Sequence, residues 1–459
     1  MSVRAPTRRL PEDEGRLAAF REALTRHEGE AVDAVERARE SLAKRDLLLL
    51  ENPGVPLRPL FIPRSRLQAI CGALHQNMLA LGRKLDALLD DPAALEEALP
   101  LPREWWDALD ARASLRHPDF GLVLRPDGFL YDDAFLLTEP NMGNGYLISC
   151  TYPDAVHEVF ASSPVFASLG WDPHALVQRP LMHIRKMLRR KVPSTTTRPR
   201  IALLWHHGEH EIIREWNERT QGILRYVPEI LRQDGWDVVF AHEDELSVDD
   251  EGNARLKGDQ RVDVVFQIPI GTFFLYEPAR LSTDLAHLRG PSVGNAPLLQ
   301  PLVHVGIDKG TMPLMGTQDC WPTTTPDGFR VDLVPTHYPT PERAAEYRMR
   351  KDAWVLKRSF EGKDTHVGCA THGRVWNRTL QTALSTAEYV MQPYVPMSVA
   401  DIPVVMDGRV EWVESSVELS LLIIDGAFAG GFARFLPAAD GVVLSPPPPG
   451  MGFTLVMDV

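Results

Sequence analysis

Cysteine is scarce: only Cys71, Cys150, Cys320 and Cys369 occur in 459 residues, and no two stand at C-x-x-C spacing. That excludes a zinc ribbon and a disulfide framework and fits a reducing compartment, so a cytoplasmic location is expected. No run of 18 apolar residues is present, and the arginines of the first ten residues are not followed by an apolar stretch. Neither a membrane-spanning helix nor a secretory leader is expected. Basic charge is in deficit. Lys and Arg number 49 against 62 Asp and Glu, a net charge of −13, which argues against nucleic acid as a partner and for a small molecule. A Walker lysine motif and G-x-G-x-x-G are both missing, so P-loop and Rossmann nucleotide sites lack their fingerprints. No internal repeat is visible.

What the chain does have is length and patterned apolar runs. A chain of this size exceeds one ordinary core, so two or three packed units are expected. Leu17, Phe20 and Leu24 fall at helical spacing, and beyond Pro53, Pro56, Pro59 and Pro63 helical composition resumes over 66–89 and 92–99. Strand texture begins near Arg116, with a turn expected at Pro126-Asp127-Gly128 and a strand over 129–138. Short apolar runs at 201–205, 236–241 and 262–269, with a helical run over 212–233, have the texture of a small parallel sheet. Between them, 243–259 reads as an acidic loop. The last third is read as further strands, with a hairpin turn at Asp407-Gly408.

Residues able to do chemistry gather at strand ends. Trp354-Val355-Leu356-Lys357 is an apolar strand that delivers a lysine, followed by Glu361 and a polar loop between Gly362 and Gly368. A lysine fixed there can hold a phosphate as a point charge, and glycines let backbone N–H groups approach it; a hairpin with a polar tip is the plain alternative. Glu139 and Asn141 share one side of an extended chain, and their hard oxygens suit Mg²⁺, although a polar turn would use the same residues. Lys309 stands where a helix would begin, and facing solvent is its default. The run Val390-Met391-Gln392-Pro393-Tyr394 offers backbone donors and acceptors at a proline break, as an adenine edge needs, with Met391 and Tyr394 as apolar walls. Arg434, in the glycine-flanked strand Phe428–Phe435, is a candidate charge clamp. His206-His207-Gly208-Glu209-His210 spells an inverted zinc-protease signature, but Gly208 interrupts the helix that signature requires, and an anion site at a helix start fits better.

In this order the landmarks resemble the circularly permuted ATP-grasp ligases, the group of the eukaryotic-type glutathione synthetase and glutathionylspermidine synthetase. The resemblance covers Arg116 to Asn144 and Leu302 to Phe435. It implies an α/β (α+β) ATP-grasp fold, circularly permuted, with four parts. These are an N-terminal helical region (1–110), a first part of the core with the E-x-N metal motif (111–195), an inserted small parallel α/β substrate domain (196–300) and the nucleotide-binding subdomains (301–459). It further implies Mg²⁺ held by Glu139, Asn141 and Glu361, and ATP held by Lys309, Lys357, Gly362, Glu418 and the hinge Val390, Met391 and Gln392. Arg434 and Arg116 take catalytic roles in this reading, and Asp119 and His366 contact substrate. Arg116 and Asp119 stand for the family's R-x-D pair but are one residue too far apart, and Lys363, Asp364 and His366 replace members of the family's glycine run. The implied activity is ATP- and Mg²⁺-dependent formation of an amide from a carboxylate and an amine through an acyl phosphate, in peptide or specialised-metabolite biosynthesis. The implied substrates are small acids and amines of amino-acid or peptide-like kind, with no nucleic-acid or membrane partner and a homodimer as one expected assembly. The alternative is a nucleotide-binding protein that has lost ligase chemistry.

Overall fold

The computed structural model describes residues 8–44, 57–100, 123–141, 146–205, 225–257, 259–267, 288, 292–299, 309–316, 321, 323–325, 327–359, 365–406, 408–438 and 452–459. Eight strands frame the chemically important part of the molecule: β1 Asp127–Leu130, β2 Ala134–Glu139, β3 Trp354–Arg358, β4 Thr365–Val367, β5 Tyr389–Pro393, β6 Ser398–Met406, β7 Arg409–Ile424 and β8 Ala427–Pro437.

Among the described residues the principal sheet has eleven strands. Its spine is β7, which pairs with β6 along its first part and with β8 along its second. The change of neighbours explains its sequence. The exposed arm from Arg409 is mixed, whereas Val417 to Ile424, with β8 on one edge and β1 on the other, is apolar except at Glu418 and Ser420, as a strand covered on both faces must be. β2 and Arg330–Leu333 extend the sheet beyond β1. Gly452–Asp458 and Leu60–Ile62 extend it beyond β8. The expected turn at Pro126-Asp127-Gly128 is not there: Asp127 and Gly128 are already in β1, and the chain reverses at 131–133.

Helices Glu14–Arg26, Glu28–Lys44, Arg64–Leu88 and Pro92–Ala98 make the N-terminal region mostly helical, the first capped by Asp13, whose side chain accepts from the Arg16 N–H at 2.8 Å. The strand Leu60–Ile62 among them is not what the surrounding prolines suggest. It is tied down by Arg58, fully buried and forked onto both oxygens of Glu12 at 2.7 and 2.9 Å. Arg200–Trp205, Asp237–His242, Val264–Gln267 and Ala296–Leu299 form the expected parallel sheet, with Ser292–Val293 antiparallel at one edge. Where an acidic loop is expected, the chain instead forms an antiparallel meander of Leu246–Val248, Ala254–Leu256 and Gln260–Arg261. Asp249 organises it by accepting from the backbone of Glu251 and Asn253 and from Arg255.

The remaining sheet runs β4-β3-β5, all antiparallel. Helix Gly373–Ser385 covers one face, where Trp376, Leu380 and Ala383 pack on Trp354, Leu356, Tyr389 and Met391. Period-two alternation then turns Val355, Lys357 and Gln392 to the opposite face. Gly368, which the sequence pattern sets at the close of a phosphate loop, is a packing glycine: a Cβ there would lie 1.8 Å from the Lys351 carbonyl oxygen. Gly368→Ala is therefore expected to cost about 1–3 kcal/mol. Urea unfolding checks this, and an unchanged midpoint would contradict the packing role.

Candidate functional site

The uncovered face of the small sheet looks onto the principal sheet across a cleft with a cavity of about 80 Å³. Val355, Lys357 and Gln392 line one side; Phe129, Thr138, Glu139, Glu418 and Arg434 line the other. Cross-strand register explains why the charged residues meet. Glu418 and Ser420 share a face of β7, Arg434 of β8 lies opposite Glu418, Asp127 of β1 opposite Ser420, and Glu139 of β2 opposite Asp127.

Two linked clusters result. In the first, Lys309 Nζ lies 2.9 Å from Glu139 Oε1, with the lysine almost fully buried. Lys357 Nζ donates to the Thr138 carbonyl at 2.9 Å. Burial pushes the Glu139 carboxyl up, but Lys309 and Lys357 outweigh it and hold it at about 2. Burial depresses the Lys357 ammonium despite Glu139 and Glu418 nearby. In the second cluster, Arg434 Nη2 donates to Asp127 Oδ2 at 2.8 Å and pairs with Glu418 Oε2 at 2.9 Å. Burial opposes its charge, yet Glu418 and Asp127 hold the guanidinium pKa above its ordinary value. Burial pushes Glu418 above the usual carboxylate range. Asp127, itself buried, also accepts from Asn141 Nδ2 at 2.9 Å and from Arg125 Nη2 at 3.3 Å. Thr138 joins the clusters: its hydroxyl donates to the Asp127 carbonyl at 2.9 Å and lies 3.3 Å from Glu418 Oε1.

The overall fold has a solved counterpart. A glutathione synthetase-like effector from Globodera pallida matches 93% of this chain and 97% of its own, with a TM-score of 0.54 and 13% identity. The likeness is one of overall fold. D-alanyl-alanine synthetase A from Vibrio cholerae gives a TM-score of 0.28 at 13% identity over 49% of this chain and 68% of its own, too slight a likeness to carry an argument. The sequence matches no family model and no curated protein.

Of the residues singled out in the sequence, Glu139, Lys309, Lys357, Gln392, Glu418 and Arg434 are brought together in this cleft, and Asn141 is tied to it through Asp127. Lys309 is no solvent-facing lysine. Met391 does not wall the cleft: its side chain lies on the helix-covered face, and its backbone N–H and carbonyl are both bonded to His337. Val390 is wholly buried, so the cleft at this edge is lined by Gln392 to Val395 instead. His366 stands between Thr365 and Val367, which line the cleft, and its Nε2 lies 3.4 Å from Thr379 Oγ1 on the covered side. Arg116, Asp119, Glu361, Gly362 and His206 to His210 lie outside the described residues. Sequence reasoning missed Asp127 and Arg125. The signal was present, because Arg125-Pro126-Asp127 has the R-x-D spacing that Arg116 and Asp119 lack.

The donor set suits a hard divalent cation. Glu139 offers a carboxylate oxygen and Asn141, whose amide nitrogen donates to Asp127, an amide oxygen. Among the described residues no three His, Cys, Asp or Glu are grouped to hold a metal, but Mg²⁺ takes one or two protein oxygens and completes its shell with water and substrate phosphates.

Lys309→Met should leave Glu139 short of a counter-charge and destabilise the fold by on the order of 3 kcal/mol. Adding Glu139→Gln should recover part of that loss. Denaturant unfolding of the four proteins in this cycle checks it; additive losses would contradict the pairing.

Proposed function

We propose that the protein is an ATP-dependent carboxylate–amine ligase that works through an acyl phosphate. The observation that supports this reading best is the convergence of Glu139, Lys309, Lys357, Glu418 and Arg434, from five separate segments, on one cleft between two sheets. Phosphoryl transfer needs little covalent help from a protein; it needs positioned charge. Lys309 and Lys357 would exchange Glu139 and the Thr138 carbonyl for phosphate oxygens of ATP. Mg²⁺, when bound at Glu139, Asn141 and the expected Glu361, supplies charge neutralisation between the phosphates. Arg434, braced by Asp127 and Glu418, stabilises charge on the group in transfer. The acid's oxygen attacks the γ-phosphorus as the bond to ADP breaks. The amine then attacks the acyl carbon and displaces phosphate, losing its proton to solvent. Amino acids and short peptides are the proposed substrate class.

Hydroxylamine trapping tests the reading. With ATP, Mg²⁺ and a panel of amino acids and short peptides, hydroxamate should form in step with ADP, and Glu139→Gln and Lys357→Met should each lower that rate about 100-fold or more. Nucleotide binding without hydroxamate from any acid would leave a nucleotide-binding protein without ligase chemistry. Absence of nucleotide binding would overturn the reading altogether.

A further inference from the structure

The Gln392 side chain is engaged where a base-reading edge would use only backbone. It is buried, and its Nε2 lies 3.2 Å from the Thr138 carbonyl, 3.0 Å from Thr336 Oγ1 and 3.5 Å from Met312 Sδ. The Thr138 carbonyl is also what Lys357 Nζ holds. Thr138 is the residue before Glu139, so two donors from the small sheet, on neighbouring strands, grip the end of β2 that bears the expected metal carboxylate. The strands themselves fix this, since Lys357 pairs with Val390 and Val355 with Gln392 across β3 and β5.

We propose that Gln392 is a positioning residue that couples the nucleotide edge of the small sheet to the metal carboxylate on the principal sheet. It acts through the Thr138 carbonyl, and the inference rests on the reading of the cleft as a Mg²⁺-ATP site. A lysine donor and an amide donor share one carbonyl. Among the described residues, Lys357 and Gln392 are the small-sheet donors to the Thr138 carbonyl, so without the amide only Lys357 ties that carbonyl to the small sheet, and Lys357 is the group that must move to phosphate when nucleotide arrives. Gln392 then keeps the end of β2 in place after Lys357 has left. Losing a partner that orients a ligand of this kind weakens metal binding about 10- to 100-fold.

The test compares Gln392→Met, close in size but without donors, with Thr336→Val, which removes another contact of the same amide and leaves its hold on Thr138. Mn²⁺ binding is read by electron paramagnetic resonance with a non-hydrolysable ATP analogue present, and analogue affinity by calorimetry in the absence of metal, because the two ligands are coupled. Gln392→Met should weaken Mn²⁺ about 10-fold and change analogue affinity by less than about 3-fold, while Thr336→Val should match the parent protein. If Gln392→Met does not fold, Gln392→Leu, which carries neither a donor nor a charge, should show the same loss of Mn²⁺. Parent-like Mn²⁺ affinity in the Gln392 variant, or equal losses of metal and nucleotide, would overturn the inference and leave the ligase reading standing. If the parent protein binds no analogue, both fall.

Discussion

A carboxylate largely withdrawn from solvent needs a cation, and Glu139 meets lysines from two distant parts of the chain. Lys309 contacts it directly, and Lys357 reaches the same strand end from another sheet. Much of the architecture serves that meeting. The β7 spine carries Glu418 and holds β8 and β1 on its two edges, so that Arg434 and Asp127 are drawn to the same place. The small sheet supplies Lys357 and Gln392 only because helix Gly373–Ser385 covers its other face and forces the alternation.

The charges are paired with one another in the structure, which has a chemical consequence. Lys309 neutralises the carboxylate expected to bind metal, and Asp127 holds both the Asn141 amide and Arg434. A site built this way is stable without ligand yet consists of groups suited to phosphate and a hard cation. Substitution of one charge therefore acts on folding as well as on binding.

The residues that converge on the candidate cleft could be singled out in the sequence because they sit on apolar strands or at their ends. Lys357 follows an apolar run, Glu139 ends another, and Arg434 is set among glycine and phenylalanine. What was not legible depends on register, which local pattern does not specify. Asp127 has the look of a turn residue because Pro126 and Gly128 flank it, yet pairing with Ser420 places it in a strand under Arg434. Met391 and His366 resemble site residues by their neighbours, and one step of alternation turns each to the covered face. Gly368 suggests loop chemistry and is set by a carbonyl from a distant turn. The overall α/β texture and the parallel sheet were readable from apolar runs, whereas Leu60–Ile62 was hidden among prolines and became a strand only by pairing with Gly452–Asp458.

The central claim is that Glu139 and Lys309, paired with each other in this fold, are the metal and phosphate groups of one nucleotide site. Manganese titration followed by electron paramagnetic resonance, with and without a non-hydrolysable ATP analogue, tests it most directly. The account predicts weak Mn²⁺ binding alone, because Lys309 occupies Glu139, and much tighter binding once a phosphate chain draws Lys309 away. The same Mn²⁺ affinity with and without the analogue would contradict it.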